Sequence, residues 1–169
     1  MNLVVVRHAI AEDAAAYARL HTDDAGRPLT PEGRKKMKQA ARGLRALVPT
    51  LDVLATSPLT RAVQTADILA AEYGLTPVVA TALSPGQPIA AVAAWLEDHR
   101  RHDAVGIVGH EPGLSQLVSW CLAGTDRSFV ELKKGAACLL EFGGEIGPGA
   151  ATLRWALAPS HLRTLQDSA

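Results

Sequence analysis

The chain has 169 residues, of which 48% are hydrophobic and 20% charged, with 17 Lys or Arg against 17 Asp or Glu. This composition excludes a disordered chain, and the charge balance removes the broad positive field that nucleic-acid or anionic-membrane partners need. We therefore expect one globular domain spanning residues 1–169, with no nucleic-acid or membrane partner and with any anion site local.

Four short apolar stretches predict the strands of a sheet. They are residues 3–6, 52–56, 76–80 and 104–108, and each precedes a loop and a helical stripe of apolar residues. Strands that alternate with helices form parallel sheets covered on both faces. The sequence therefore predicts an α/β fold of three layers, α/β/α, around a mostly parallel sheet.

Prolines mark the starts of three of the helices. Pro31, Pro58 and Pro112 each stand at a first helical position, where the missing N–H costs nothing. Thr30 and Ser57 precede two of them and offer hydroxyl groups that cap helices well. We therefore expect helices to begin at these prolines.

The remaining segments flank this alternating core. Residues 136–142 and 150–157 predict a closing pair of strands, an antiparallel edge joined by the glycine-rich GGEIGPG. Residues 9–29 combine a helical middle with the loop-like HTDDAGRP, and must arch over the sheet edge where loops commonly carry function. From Pro159 onward we expect a loose tail.

The sequence also bears on location and thiols. Only four consecutive apolar residues precede Arg7, too few for a signal-peptide core, and no run approaches the roughly 20 apolar residues of a membrane span. We expect a cytoplasmic protein and a monomer. Cys121 and Cys138 lack metal-type spacing and lie among apolar residues, which predicts reduced core thiols.

Arginines and histidines follow three of the predicted strands. Arg7 and His8 end the first strand, and Arg61 lies one helical turn beyond Ser57 after the second. His110 follows the fourth, within VGHEPGL. Alone, each has an ordinary reading as a capping pair, a solvated arginine or a turn histidine. Because the carboxyl ends of parallel strands meet at one edge, however, we expect these groups together around an anion.

A phosphoryl group suits two arginines best, because planar guanidinium groups bind its oxygens bidentately. Helix starts at Pro58 and Pro112 would add free N–H groups and positive dipole ends. The sequence contains no GxxxxGKS/T phosphate loop and no convincing metal-ligand spacing. We therefore expect no metal or other cofactor, and covalent catalysis through a histidine nitrogen.

Three motifs together resemble the histidine phosphatase superfamily, also called phosphoglycerate mutase-like. They are VVVRHA near the N-terminus, TSPLTRAVQTA in the second unit and VGHEPGL in the fourth, in the family's order. The resemblance implies the phosphoglycerate mutase-like form of the fold. The short chain and the ALSPGQP segment are most similar to the small phosphohistidine phosphatases, the SixA-type branch.

The resemblance implies roles for the residues at the strand ends. His8 would be the nucleophile that accepts the phosphoryl group, and Arg7 its neighbouring phosphate clamp. Arg61 and His110 would complete the catalytic and phosphate-binding set. The resemblance thus adds roles to a cluster that the strand pattern already brings together.

Three further positions are weighed against the family pattern. Arg27, within GRPLTPEG, is a further candidate for phosphate or substrate contact, and Ser57 is a candidate substrate-binding residue. Ala9 stands where a glycine is commoner, a change between small residues that we expect to be tolerated.

The loop 81–89 contains no acidic residue, although larger family members place a general acid there. An alkoxide leaving group needs that proton, whereas imidazole, with a pKa of about 6.5, can leave already protonated. The missing acid therefore favours a phosphohistidine substrate. Glu111 is the candidate substitute acid, with a role at the helix start as its alternative.

We thus predict a metal-independent phosphohistidine phosphatase in which neutral His8 attacks phosphorus. Two alternatives stay open. The site could serve a small-molecule phosphatase acting on phosphoanhydrides or phosphoesters, or a non-catalytic module that binds phosphate or phosphoproteins.

Overall fold

A computed structural model describes residues 1–166, within which six strands form one mixed sheet. Strands β1 to β6 are Asn2–Arg7, Val53–Thr56, Val78–Val79, Ala104–Gly109, Ala137–Phe142 and Ala151–Leu157. Their order across the sheet is β3-β2-β4-β1-β5-β6. The first four are parallel, whereas β5 runs antiparallel to β1 and β6 to β5. The predicted mostly parallel sheet with an antiparallel edge is confirmed.

Helices cover both faces of this sheet. Helices α1 to α6 are Ala14–Ala18, Pro31–Leu47, Thr60–Tyr73, Ile89–Asp98, Gly113–Ala123 and Pro159–Thr164. Along β1, Val4 and Val6 pack into the apolar cluster of α2 and α3, whereas Leu3 and Val5 join that of α4 and α5. This alternation of side chains produces the three layers. Among residues 1–166, no helix has both the length and the apolar character that crossing a membrane requires.

Two of the three predicted helix starts are wrong. α2 begins at Pro31 as expected, with Thr30 Oγ1 accepting from the Gly33 N–H at 2.9 Å. In contrast, α3 begins at Thr60 rather than Pro58, and α5 at Gly113 rather than Pro112. Pro58 directly precedes the N-cap residue Leu59, and Pro112 is itself the N-cap of α5, so neither proline occupies a first helical position.

The third strand is shorter than predicted. Only Val78–Val79 of residues 76–80 pair with β2, and both side chains are exposed at this outer edge of the sheet. β3 is thus a very short edge strand, a form that limits pairing with other chains.

The expected loose tail from Pro159 is also wrong for the part that the structure describes. Residues Pro159–Thr164 form α6, which packs against α2 with Leu162 fully buried. At Gly43, a Cβ atom would lie 1.8 Å from the Leu162 carbonyl oxygen, so only glycine permits this close approach. Residues 167–169 of the predicted tail lie outside the described residues.

The segment 9–29 arches over the carboxyl edge of the sheet, as expected. It contains α1, capped by the Asp13 carboxylate, and a short 3-10 helix at Asp24–Gly26. A bridge between Ala11 and Leu29 closes its base. The arch thereby holds Asp24 over the strand ends.

Candidate active site

The register of three neighbouring strands brings His8, Ser57 and His110 to one edge. Each is the first residue after its strand, in β1, β2 and β4 respectively. The N–H of His8 donates to the Gly109 carbonyl and that of Ser57 to the Val108 carbonyl, both at 3.1 Å. The sheet itself therefore fixes the spacing of these three residues.

His8 is buried, and its Nδ1 lies 2.8 Å from the Ala9 carbonyl oxygen. Because a carbonyl only accepts, Nδ1 carries the ring proton and Nε2 keeps its lone pair. Burial lowers the pKa of His8 to about 4, helped by the charges of Arg61 and Arg7 and opposed by the Ala9 hydrogen bond. The Ala9 N–H donates in turn to Thr65 Oγ1 at 3.0 Å. At neutral pH His8 is thus uncharged, with a free nucleophilic nitrogen.

His110 faces His8, with the two ring centroids 5.1 Å apart. Its Nε2 lies 2.8 Å from Ser57 Oγ, which also accepts a 3.3 Å bond from the Leu59 N–H. The arrangement that satisfies both groups has the Ser57 hydroxyl donate to Nε2, which puts the ring proton on Nδ1. Burial lowers the pKa of His110 to about 3. The buried Nδ1 has no partner and is therefore an unsatisfied donor.

The three arginines differ in what holds them. Arg7 donates from Nη1 to the Leu132 carbonyl at 2.7 Å. Arg61 Nη1 lies 3.0 Å from Asp24 Oδ2, and Arg27 Nε lies 2.6 Å from Asp24 Oδ1. The Nε atoms of Arg7 and Arg61 are buried without partners. Arg27 and Arg61 thus share one carboxylate, whereas Arg7 and Arg61 keep unused Nε donors.

Sequence reasoning missed Asp24. Its half-exposed carboxylate bridges Arg27 and Arg61, and the hydrogen bond from Arg27 is the largest cause that lowers its pKa. The only signal was an acidic pair in a loop at the functional edge, HTDDAGRP, which does not say which aspartate turns inward. A carboxylate between two guanidinium groups occupies the position that suits a phosphate.

A cavity of about 350 Å³ opens over the strand ends. Its walls include Arg7, His8, Arg27, Arg61, His110, Glu111 and Lys134. The structure thus gathers every arginine and histidine singled out in the sequence. Ser57 is fully buried and does not line the cavity, and its hydroxyl contacts Nε2 of His110.

Glu111 contacts the start of α5 and also lines the cavity. Its Oε2 accepts hydrogen bonds from the hydroxyl and the N–H of Ser115, in the first turn of α5. Its Oε1 is buried without a partner, although Glu111 lines the cavity. The residue therefore supports the helix start and keeps one unused acceptor near the site.

The cysteines lie in the core. Cys121 and Cys138 are both buried and unpaired, and burial raises the pKa of each thiol to about 12. Such thiols stay protonated and unreactive at neutral pH. Across residues 1–166, no group of three or more His, Cys, Asp or Glu side chains could hold a metal ion.

Fold and site together define a parallel α/β protein with paired histidines and arginines at its strand ends. The chain belongs to the histidine phosphatase superfamily: the family model described as branch 1 matches residues 3–84, which include Arg7, His8 and Arg61. Membership supports a phosphatase activity, and the predicted family is confirmed.

One curated relative is an uncharacterized protein of Picosynechococcus sp., 39% identical over 146 residues, which cover 85% of this chain and 86% of that protein. Among solved structures, the protein histidine phosphatase SixA complexed with tungstate superposes with a TM-score of 0.80 at 24% identity, covering 96% of this chain and 99% of that one. The alpha-ribazole phosphatase from Shigella flexneri superposes at 0.74 and 17% identity, over 94% and 97%. At these identities the structures establish a shared fold.

Proposed function

We propose that this protein is a metal-independent phosphatase that removes phosphate from phosphohistidine in proteins, through a covalent intermediate on His8. The observation that carries the proposal is the state of His8. Its Nδ1 faces the Ala9 carbonyl, its pKa is lowered to about 4, and it lines a cavity with three arginines. A neutral nucleophile next to fixed cations is what phosphoryl transfer to a histidine requires.

In the first step, the lone pair of His8 Nε2 forms a bond to phosphorus while the bond from phosphorus to the substrate nitrogen breaks. The substrate imidazole leaves with a proton taken up from solvent. Arg7, Arg61 and the Nδ1–H of His110 stabilise the charge on the transferring oxygens. Water then attacks phosphorus, the bond to Nε2 breaks, and inorganic phosphate leaves neutral His8 behind.

The substrate phosphate would replace the carboxylate of Asp24. Arg27 and Arg61 both hold this carboxylate, and the Asp24 side chain is 52% exposed. An exposed loop carboxylate is displaced at low cost, because its ion pairs compete with solvation by water. Phosphate carries more charge and more acceptor oxygens, so it suits the two guanidinium groups better.

The choice of leaving group rests on the loop after β3. Residues 81–89 contain no carboxylate, and Pro85 is the part of this loop that lines the cavity. Imidazole has a pKa of about 6.5 and leaves without a protein acid, whereas a serine alkoxide does not.

A second candidate is a phosphatase of small phosphoesters. The unpartnered Oε1 of Glu111 favours it, because a carboxyl group there would supply the proton that an ester needs. A phosphoserine phosphatase from Entamoeba histolytica shares the fold, with a TM-score of 0.68 at 17% identity over 95% of this chain and 98% of that one.

The monomeric state and the cytoplasmic location of the protein stay predictions.

A substrate panel tests the proposal. The intact protein is assayed with a phosphohistidine peptide, pyrophosphate, p-nitrophenyl phosphate and phosphoserine, with and without a metal chelator. We expect the phosphohistidine peptide to have the highest kcat/KM and chelation to leave it unchanged. Preference for phosphoserine would replace the proposal with the ester phosphatase. Tight binding of the phosphopeptide without turnover would leave only a binding module.

A further inference from the structure

A second cavity, of about 230 Å³, lies beside the active site. Residues 9–10, the start of α2, the segment 133–135 and the start of α6 build it. Apolar side chains, among them Ile10, Met37 and Pro159, form part of its wall. Small-molecule sites usually begin at roughly 300 Å³. The size therefore suits one inserted side chain rather than a whole cofactor.

Cations surround this apolar pocket. Its lining includes Lys36, Lys133, Lys134 and Arg163, and no Asp or Glu among residues 1–166 lines it. Lys36 pairs with the exposed Glu32, whereas neither Lys133 nor Lys134 has a carboxylate of the described chain within 4.0 Å. The chain has 17 basic and 17 acidic residues, so this single-sign rim is a local feature. It is complementary to an acidic partner that also offers an apolar side chain.

The pocket is joined to the catalytic site. Lys134 lines both cavities, and Ala9, which lines the second, directly follows His8. The two cavities therefore share a wall. A polypeptide that lies in the second cavity can continue into the first within a few residues, since an extended residue spans about 3.3 Å.

We propose that this cation-rimmed pocket docks an acidic segment of the phosphorylated protein substrate, with one apolar side chain of that segment inserted between α2 and α6. The inference rests on the proposed function, because it names where the rest of that substrate binds. The rim attracts the acidic segment and the apolar wall fixes its register. Docking here raises the local concentration of the phosphorylated histidine at His8.

The test compares three substrates and matched variants. Two peptides carry one phosphohistidine and one leucine, flanked by glutamates in one peptide and by lysines in the other. Free phosphohistidine is the substrate too small to reach the pocket. The double variant Lys36→Glu/Lys133→Glu cancels the net charge of the rim, because two glutamates then face Lys134 and Arg163. Its control, Lys35→Glu/Lys38→Glu, makes the same charge change on exposed positions of α2 outside the pocket. Glu32→Gln removes the Lys36 ion pair and leaves the rim cationic.

We expect the rim variant to raise KM for the acidic peptide about tenfold at low salt, with kcat and turnover of free phosphohistidine unchanged. Added salt should weaken the acidic-peptide preference of the native protein. Binding of unphosphorylated, fluorescein-labelled acidic peptide should weaken in parallel. Equal effects of the rim and control variants, or equal affinity for both peptides, would overturn the docking site. Absent turnover of every phosphohistidine compound would instead count against the proposed function, while peptide binding still decides the docking site.

Discussion

Two regions of the active site are built in different ways. The first comprises the residues just past β1, β2 and β4, where backbone hydrogen bonds to the neighbouring strand fix His8 and Ser57. The second is the arch of residues 9–29, where Asp24 and Arg27 reach the cavity from an irregular loop. The comparison suggests that the sheet supplies the chemistry, whereas the arch governs access of the anion. Substitutions at the strand ends should therefore change turnover, whereas substitutions in the arch should change anion binding.

Replacing the nucleophile has the largest expected effect. His8→Ala removes the nitrogen that is proposed to carry the phosphoryl group, so turnover of the phosphohistidine peptide falls by at least about 1,000-fold. The measurement is steady-state turnover, with circular dichroism to confirm the fold. His102→Ala, an exposed histidine outside the site, should keep full activity. Substantial activity in His8→Ala would assign the chemistry elsewhere.

The next largest effect is expected for Arg61. Arg61→Ala removes a cation and its unsatisfied Nε donor from the cavity, so kcat/KM falls by about 100-fold. Arg27→Ala, in the arch, should cost about tenfold or less, because the Glu12 carbonyl holds its Nη1 donor and its Nε reaches the phosphate only after Asp24 leaves. Measuring kcat/KM for both variants tests whether Arg61 contributes more to turnover than Arg27 does. A larger loss in Arg27→Ala would contradict this order.

Ser57 tests orientation rather than contact. Ser57→Ala removes the hydroxyl that sets the ring proton of His110, so kcat falls by about tenfold while KM stays close to its native value. The pH profile of kcat should also shift, because Nε2 of His110 loses its hydrogen bond to the Ser57 hydroxyl. Thr65→Ser keeps the hydroxyl that holds Ala9 and serves as the conservative control. A change confined to KM would instead make Ser57 a binding residue.

Removing the Asp24 carboxylate from the arch should strengthen phosphate binding rather than weaken it. Asp24→Asn removes the carboxylate that competes for Arg27 and Arg61, so inhibition by inorganic phosphate tightens by about threefold. Asp23→Asn alters the neighbouring exposed carboxylate, which caps the Ala25 N–H, and should leave the inhibition constant unchanged. Weaker phosphate binding in Asp24→Asn would show that the carboxylate orders the arginines instead of competing for them.

The last expected effect is on stability against pH rather than on turnover or binding. The folded state holds the pKa of His8 at about 4, below its ordinary value of 6.5, so the unfolded chain binds a proton there that the folded chain does not. Stability is therefore complete above about pH 6.5 and falls by about 1 kcal/mol per pH unit toward pH 4. Denaturant titrations of native protein and His8→Ala measure this slope. The variant should show a shallower dependence, and an identical one would contradict the depressed pKa.

The difference between the strand ends and the arch also explains which site residues could be placed from the sequence. Arg7 and His8 could be placed because an apolar strand that ends in two polar residues puts them at a sheet edge, whatever the loops do. Asp24 could not be placed, because the path of the arch depends on its contact with Arg61, a residue far from it in the sequence.

Helix α6 was missed for a related reason. Its short segment buries Leu162 only because Gly43 of α2 lets the two backbones meet, and one buried leucine leaves no periodic stripe in the sequence. Likewise, Ser57 reads as a helix cap from Ser57-Pro58, but its hydroxyl also contacts His110, a residue that only the sheet register brings near. Local patterns cannot show such tertiary contacts.

Trapping the covalent intermediate tests the central claim most directly. The protein is mixed with a phosphohistidine peptide, quenched rapidly without acid, digested, and analysed by mass spectrometry. The account predicts one added phosphoryl group on the peptide that contains His8, absent in His8→Ala and lost over time as water attacks. A phosphoryl group on His110, or turnover with no phosphorylated protein at any time point, would contradict it.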